Sequence, residues 1–266
     1  MRLILILKEY LKINWYKTIY FNFTLLPFKT AIKFPFLLYG KVKLSGLKGK
    51  IIFNTPVKKF MCKFGKNLEI ITLKGKSELN VNGTLYVNGS FSFGNDFIVH
   101  ILKGAEMHIG EGSYFGRKTQ IICTNSITLG SYLRFGYESQ IIDSNFHYTV
   151  DLNTGITNNI SKPISIGSYT WIGNRNTIMA GTETNDYLII GSNSLLNKNY
   201  KEGIPSASLI AGIPAKLIKK DFVRVFDSDF EQEIRKYFRK TDIENFNVFD
   251  VFEADKNTFI KNIKNE

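Results

Sequence analysis

Stepping by six from Ile166 lands on Ile172, Ile178, Thr184, Ile190 and Leu196, so five of the six positions are aliphatic. Glycine follows at 167, 173 and 191, and a small polar residue recurs at the fifth place of the step in Thr170, Asn176, Thr182 and Ser194. One step back lies Ile160. An upstream block repeats the pattern through Ile109, Phe115, Ile121 and Ile127, with Gly110, Gly116, Ser113 and Thr119. A slip of two residues then resets the frame to Leu129, Phe135 and Ile141, with Gly130, Gly136 and Ser139; earlier, Val81, Val87 and Phe93 hold the step. A period of six belongs neither to an amphipathic helix nor to a hairpin sheet. It fits short strands joined by tight corners, in which the apolar residue points inward, glycine permits an unusual turn backbone and the small residue fills a narrow interior. Three steps make a triangular coil of about 18 residues, and coils stack as parallel strands about 4.8 Å apart.

The regular repeats run over about 80–202, with a looser β lead-in from about 41. Two regions fall outside them. Residues 1–40 read as a mainly helical segment, and 217–266 as a C-terminal helix and tail. In the latter, Ser228-Asp229-Phe230-Glu231 matches a capping box and precedes Ile234, Tyr237 and Phe238 on one helical face.

Hydrophobic residues make up 44% of the 266 and charged residues 22%, a balance that excludes bulk disorder. Cys62 and Cys123 are too few for a disulfide scaffold and point to a reducing compartment. The apolar stretch Leu3 to Leu7 is far short of the roughly 20 residues that span a bilayer and lacks a cleavage site. A cytoplasmic location is the expectation. The formal charge of +12 is uneven: residues 1–50 hold ten Lys/Arg against one acid, Glu9, together with ten aromatics. A basic segment, unlike a uniformly basic protein, gives no reason to expect nucleic acid as partner. Two readings of it stay open: a helical segment packed on the main domain with solvated lysines, or peripheral contact with an anionic membrane face.

Of three histidines, His100 and His108 lie among strand-like residues and read as structural. His147 falls on the inward register of Leu129, Phe135 and Ile141, where an imidazole has no packing reason to be. The frame then stops until Ile160, across a polar loop (148–159) holding Asp151, Asn153, Thr154 and Asn158. A coil that opens at a histidine and throws out such a loop suggests a site, against the plainer reading of a surface histidine where the helix breaks.

Three segments carry a family resemblance. Asp143-Ser144-Asn145-Phe146-His147 resembles the D-x-x-F-H segment of the hexapeptide-repeat O-acetyltransferases. Ile166-Gly167-Ser168-Tyr169-Thr170-Trp171-Ile172-Gly173 is similar to their W-I-G run, and Ala211-Gly212-Ile213-Pro214-Ala215-Lys216 to their closing G-x-P-A-K element. The set covers about 75 residues in order and is most like galactoside, maltose and capsular-polysaccharide O-acetyltransferases. The resemblance implies a left-handed parallel β-helix over 41–216, a homotrimer with sites between subunits, and transfer of acetyl from acetyl-CoA to a sugar hydroxyl in surface polysaccharide assembly. It makes His147 the general base, with Asp143 orienting it, binding a sugar hydroxyl or merely capping the loop turn. Aligned on the same anchors, the coenzyme A contacts fall on Asn174, Ser192, Lys198, Lys216 and Lys219. Trp171 would wall the cofactor channel or pack between subunits. Lys216 and Lys219 stand where relatives use arginine, so a bidentate grip on phosphate is lost.

Other readings are weighed by the same residues. A zinc β-helix of the γ-carbonic anhydrase kind needs three converging histidines and an H-x-x-x-x-H pair, which is absent, so no metal is expected. A serine O-acetyltransferase would carry a longer N-terminal helical domain. A non-catalytic sugar-binding or scaffold β-helix stays open.

Overall fold

The computed structural model describes residues 10–66, 75–241 and 243–252. Within Met1–Val223 the chain winds through three sheets of nine, seven and five strands, parallel but for the last strand of the first, visiting them in turn. Before the first strand come helix α1 (Trp15–Leu25) and the short α2 (Phe28–Ala31). The first sheet runs from Phe36–Leu38 to Leu209–Gly212 and closes with the antiparallel strand Ala215–Lys219. The β-helix therefore begins at Phe36, inside the segment read from sequence as a helical appendage.

Inward rows run along the axis in register. In the second sheet Leu79, Val99, Ile121, Ile141, Ile178 and Leu196 face one another from coil to coil. In the first, Phe64, Phe93, Phe115 and Phe135 form a column of rings, with Phe93 and Phe115 only 4.3 Å apart, which gives way to Ile172, Ile190 and Ile210. The change follows the width of the coil. Phe115 faces Phe135 twenty residues on, whereas Ile172 faces Ile190 eighteen residues on.

The two extra residues of the wider coils sit in the third sheet. There, two inward rows run side by side: Leu85, Met107, Ile127 and Ile164 in one, Val87, Ile109, Leu129 and Ile166 in the other. The two-residue slip seen in the sequence is the offset between these rows. The broader interior takes phenylalanine, and the narrow coils beyond Ile166 take isoleucine, as close packing demands.

The repeated glycines have a different role from the one expected. Positive φ falls two residues later, on Tyr169 (53°), Arg175 (57°) and Asn193 (57°), not on Gly167, Gly173 or Gly191. Glycine is required because the next coil lies against it: a Cβ on Gly136 would stand 2.7 Å from the carbonyl carbon of Gly173. The small polar residues are buried as expected, and each closes its corner. Thr119, Thr170 and Ser194 donate to the carbonyls of Gly116, Gly167 and Gly191 at 2.7–2.8 Å.

The open edge of the first strand is covered by α1. The Asn22 amide donates to Phe36 O at 2.9 Å and accepts the Phe36 N–H at 3.2 Å, while Thr18 Oγ1 accepts from Leu38 N at 3.0 Å. Phe21 packs edge-on to Phe36, 5.3 Å between centroids. These contacts satisfy backbone groups that an exposed edge would leave bare.

A second unit comprises Arg224–Glu266. Its helix α3 (Ser228–Thr241) is followed by α4 (Val248–Val251), and Phe230, Tyr237, Phe238, Phe246 and Phe252 cluster beside one another. The cap of α3 is Asp227, whose Oδ1 accepts the N–H groups of Asp229 and Phe230 at 2.9 Å, so the expected Ser228 box is displaced by one residue. Most of the expected C-terminal tail lies outside the described residues.

Candidate active site

The polar loop leaves the wall at a corner between the second sheet (Gln140–Ile142) and the third (Ile164–Ile166). Its base is laced together. Asn145 N donates to Ile160 O at 2.8 Å, Lys162 N to Asp143 O at 3.0 Å and Ser161 Oγ to the same carbonyl at 2.9 Å. Its tip is a turn held by Asp151, whose carboxylate accepts the N–H groups of Thr154 and Asn153; these bonds pull its pKa below the ordinary carboxylate range. Tyr148, Val150, Leu152 and Ile156 are exposed along it, Leu152 by 96%.

His147 occupies a bend at the start of this loop and is exposed, its N–H donating to Asn145 O at 2.8 Å. The expectation that it points inward is thus corrected. Asp143 and Ser144 turn into the wall and end the six-residue register, so the next step falls outside the coil. Asp143 is buried, and its oxygens take the Thr124 and Asn125 N–H groups and the Thr124 hydroxyl, all at 2.8 Å. Among the described residues no hydrogen bond or ion pair joins Asp143 to His147.

Beneath the loop lies a cleft of about 570 Å³. Asn145, Thr149, Asn158, Asn159, Lys162 and Asn197 give it polar walls, and Met179, Ala180 and Leu195 an apolar floor. His147 stands between two lining residues in the chain, Asn145 and Thr149, without itself lining the cleft. Such a mixture suits a sugar, whose hydroxyls need partners and whose C–H faces need apolar contact. Lys162 and Asn197 were not singled out from sequence; nothing in the repeat marks them, since the loop's closure alone brings them together.

The residues expected at coenzyme A divide among four places. Asn174 and Ser192 meet on a corner between the first and second sheets, where Asn174 N donates to Ser192 Oγ at 3.0 Å and Asn174 Oδ1 accepts from Tyr137 N at 3.2 Å. Their polar atoms already tie coil to coil. Lys198 lies beyond the second sheet, its Nζ 5.4 Å from the centre of the Tyr200 ring. Trp171, 43% exposed, faces outward from the first sheet between Arg134 and Ile189 in register. Lys216 and Lys219 share the closing strand, both exposed, with Lys219 Nζ 4.6 Å from the Phe222 ring centre. Trp171, Asn174, Ser192, Lys216 and Lys219 stand away from the corner that carries His147, whereas Lys198 follows the second-sheet strand Leu195–Leu196 at that same corner, next in the chain to the cleft-lining Asn197.

The remaining histidines are apart. His100 lies on the second sheet, 3.5 Å from the Glu78 carboxylate, and His108 on the third, stacked at 4.1 Å on Tyr86. Among the described residues no three His, Cys, Asp or Glu side chains gather as a metal site.

No family model matches the chain. It is 28% identical over 143 residues to a Staphylococcus aureus protein named as a candidate acetyltransferase, covering 54% of this chain and 66% of that protein, just under two thirds. It is 26% identical over 124 residues to the galactoside O-acetyltransferase of Escherichia coli, 46% of this chain and 58% of that enzyme. The solved polySia-specific acetyltransferase NeuO superposes with a TM-score of 0.54 at 21% identity, covering 80% of this chain and 91% of that one. Sequence relatives and fold point the same way: the chain is similar in sequence to acetyltransferases and has the left-handed parallel β-helix of the hexapeptide-repeat enzymes.

Proposed function

We propose that the protein transfers acetyl from acetyl-CoA to a sugar hydroxyl of a surface polysaccharide. The observation that carries this reading is an exposed imidazole, His147, set in the chain between Asn145 and Thr149, two residues that line a polar-walled cleft, in a fold whose relatives include a galactoside O-acetyltransferase. A sugar hydroxyl is a weak nucleophile at neutral pH, so a base must take its proton during attack. In this reading one nitrogen of neutral His147 takes that proton, and the sugar oxygen bonds to the thioester carbonyl carbon. The tetrahedral oxyanion collapses with loss of the coenzyme thiolate, which recovers the proton from the imidazolium. No bond to the protein forms. Asp143 acts from beneath, fixing the take-off angle of the loop.

Trp171, Asn174, Ser192, Lys198, Lys216 and Lys219 are the proposed coenzyme residues. The separation of all of these but Lys198 from His147 within one chain supports a homotrimer, in which a neighbour's first sheet would face the loop. A cytoplasmic location with peripheral contact at the membrane through residues 1–40 completes the reading. Among the described residues no helix is long and apolar enough to cross a membrane.

The test is acetyl-CoA-dependent release of free thiol in the presence of a panel of glycans. His147→Ala should lower turnover by about 100-fold or more while the melting temperature stays put, because the side chain is exposed. Unchanged turnover would remove His147 from the chemistry. Absence of acetyl-CoA binding by calorimetry would leave a sugar-binding β-helix.

A further inference from the structure

Helix α1 is buried along one face and carries an apolar stripe on the other. Thr18, Phe21 and Asn22 are buried against the first strand of the β-helix. On the opposite side Tyr16, Ile19, Tyr20 and Phe23 follow the i, i+3, i+4, i+7 spacing of a stripe that would normally face a core, yet all four are exposed, Tyr16 by 78%. Leu11, Phe28 (70%) and Ile32 extend the surface on either side.

The charge around it is equally one-sided. Residues 10–66 contain twelve lysines and no Asp, Glu or Arg, a number equal to the formal charge of the whole chain. Lys12, Lys29 and Lys33 are exposed in the segments that flank α1 in the chain, and Lys41, Lys48 and Lys50 are exposed in the terminal coil, whose strands are outermost in each sheet.

An aromatic stripe edged with lysines matches a bilayer interface, where rings sit at headgroup depth and ammonium groups meet lipid phosphates. We propose that the N-terminal end of the β-helix docks on a membrane rich in anionic phospholipid, through the Tyr16–Ile19–Tyr20–Phe23 stripe and the lysines around it. The same helix that caps the end of the coil thereby orients it, one face on the β-helix and the other on the bilayer. This sharpens the peripheral contact proposed above and is independent of acetyl transfer.

The experiment is co-sedimentation of the full-length protein with vesicles of phosphatidylcholine alone or with 30% phosphatidylglycerol, run beside light scattering without lipid. The expected result is retention by the anionic vesicles only, weakened by salt. Tyr16→Ser/Tyr20→Ser/Phe28→Ser should release the protein, and Lys29→Glu/Lys33→Glu should weaken retention about tenfold, with melting temperature and glycan acetylation in solution unchanged. Equal retention by both vesicles would overturn the anionic-lipid assignment, and retention by neither would overturn membrane contact altogether. A larger lipid-free assembly that the serine variant dissolves would reassign the stripe to contact between copies of this chain. Loss of acetylation in the wild type would bear on the enzyme reading alone.

Discussion

The carboxylate of Asp143 accepts the Thr124 backbone N–H at 2.8 Å, nineteen residues back and one coil below. Two more donors, the Thr124 hydroxyl and Asn125 N–H, converge on the same carboxylate at 2.8 Å. Removing it leaves buried donors unsatisfied, so Asp143→Ala should cost about 3 kcal/mol of stability, read as a lower denaturation midpoint. Asp143→Asn keeps one acceptor oxygen and should lose less. An Asn variant that melts like the wild type but shifts the pH–rate profile would assign Asp143 to the histidine instead.

Coil stacking makes two similar substitutions behave differently. Gly136→Ala brings a Cβ to 2.3 Å from Asn174 Oδ1 and 2.7 Å from the Gly173 backbone. It should destabilise by about 1–3 kcal/mol. Around Gly203 a Cβ meets nothing within 4 Å, so Gly203→Ala should change stability by no more than about 0.5 kcal/mol. Thermal melts of the two variants side by side decide it.

Glu138 sits between Lys118 (2.8 Å) and Arg175 (3.0 Å), and bonds from these cations hold its carboxyl below the ordinary range. A lowered folded-state pKa gives stability that is present above the unfolded carboxylate value and is lost as pH falls through the folded one. Melting temperature should therefore fall less steeply between pH 5 and pH 3 in Glu138→Gln than in the wild type. Parallel curves would mean that the exposed ladder contributes nothing.

Both cysteines are buried, and burial pushes their thiols well above the usual range; the carboxylate of Asp143 adds to this at Cys123. At pH 8 neither should react with Ellman's reagent in the folded protein, and both should react at once in denaturant. Fast labelling of the native protein would show that the wall opens near one of them.

The coil was legible because its cause is periodic: Ile166, Ile172 and Ile178 each fill one wall of the same interior. The second inward row of the third sheet was visible only as a frame slip, because Ile127 and Leu129 look alike in a linear reading. His147 was misplaced for a related reason. Its spacing continues the register, but the carboxylate of Asp143 has partners only in the coil beneath, and satisfying them turns the chain outward first. Lys162 and Asn197 were invisible because their meeting depends on how the loop folds back. Asn22 and Thr18 were not singled out either, because their bonds to Phe36 and Leu38 leave no mark in a helical pattern.

The 148–159 loop rises from a corner whose two flanking strands keep their register, Ile141 with Ile121 and Ile166 with Leu129. Chain length at that corner is thus decoupled from the wall. If the proposed acceptor site lies under this loop, acceptor preference can change by exchanging one surface excursion while the architecture beneath it is inherited intact, and a graft between Ser144 and Ser161, where the two ends of the excursion bridge, is the natural unit of such exchange.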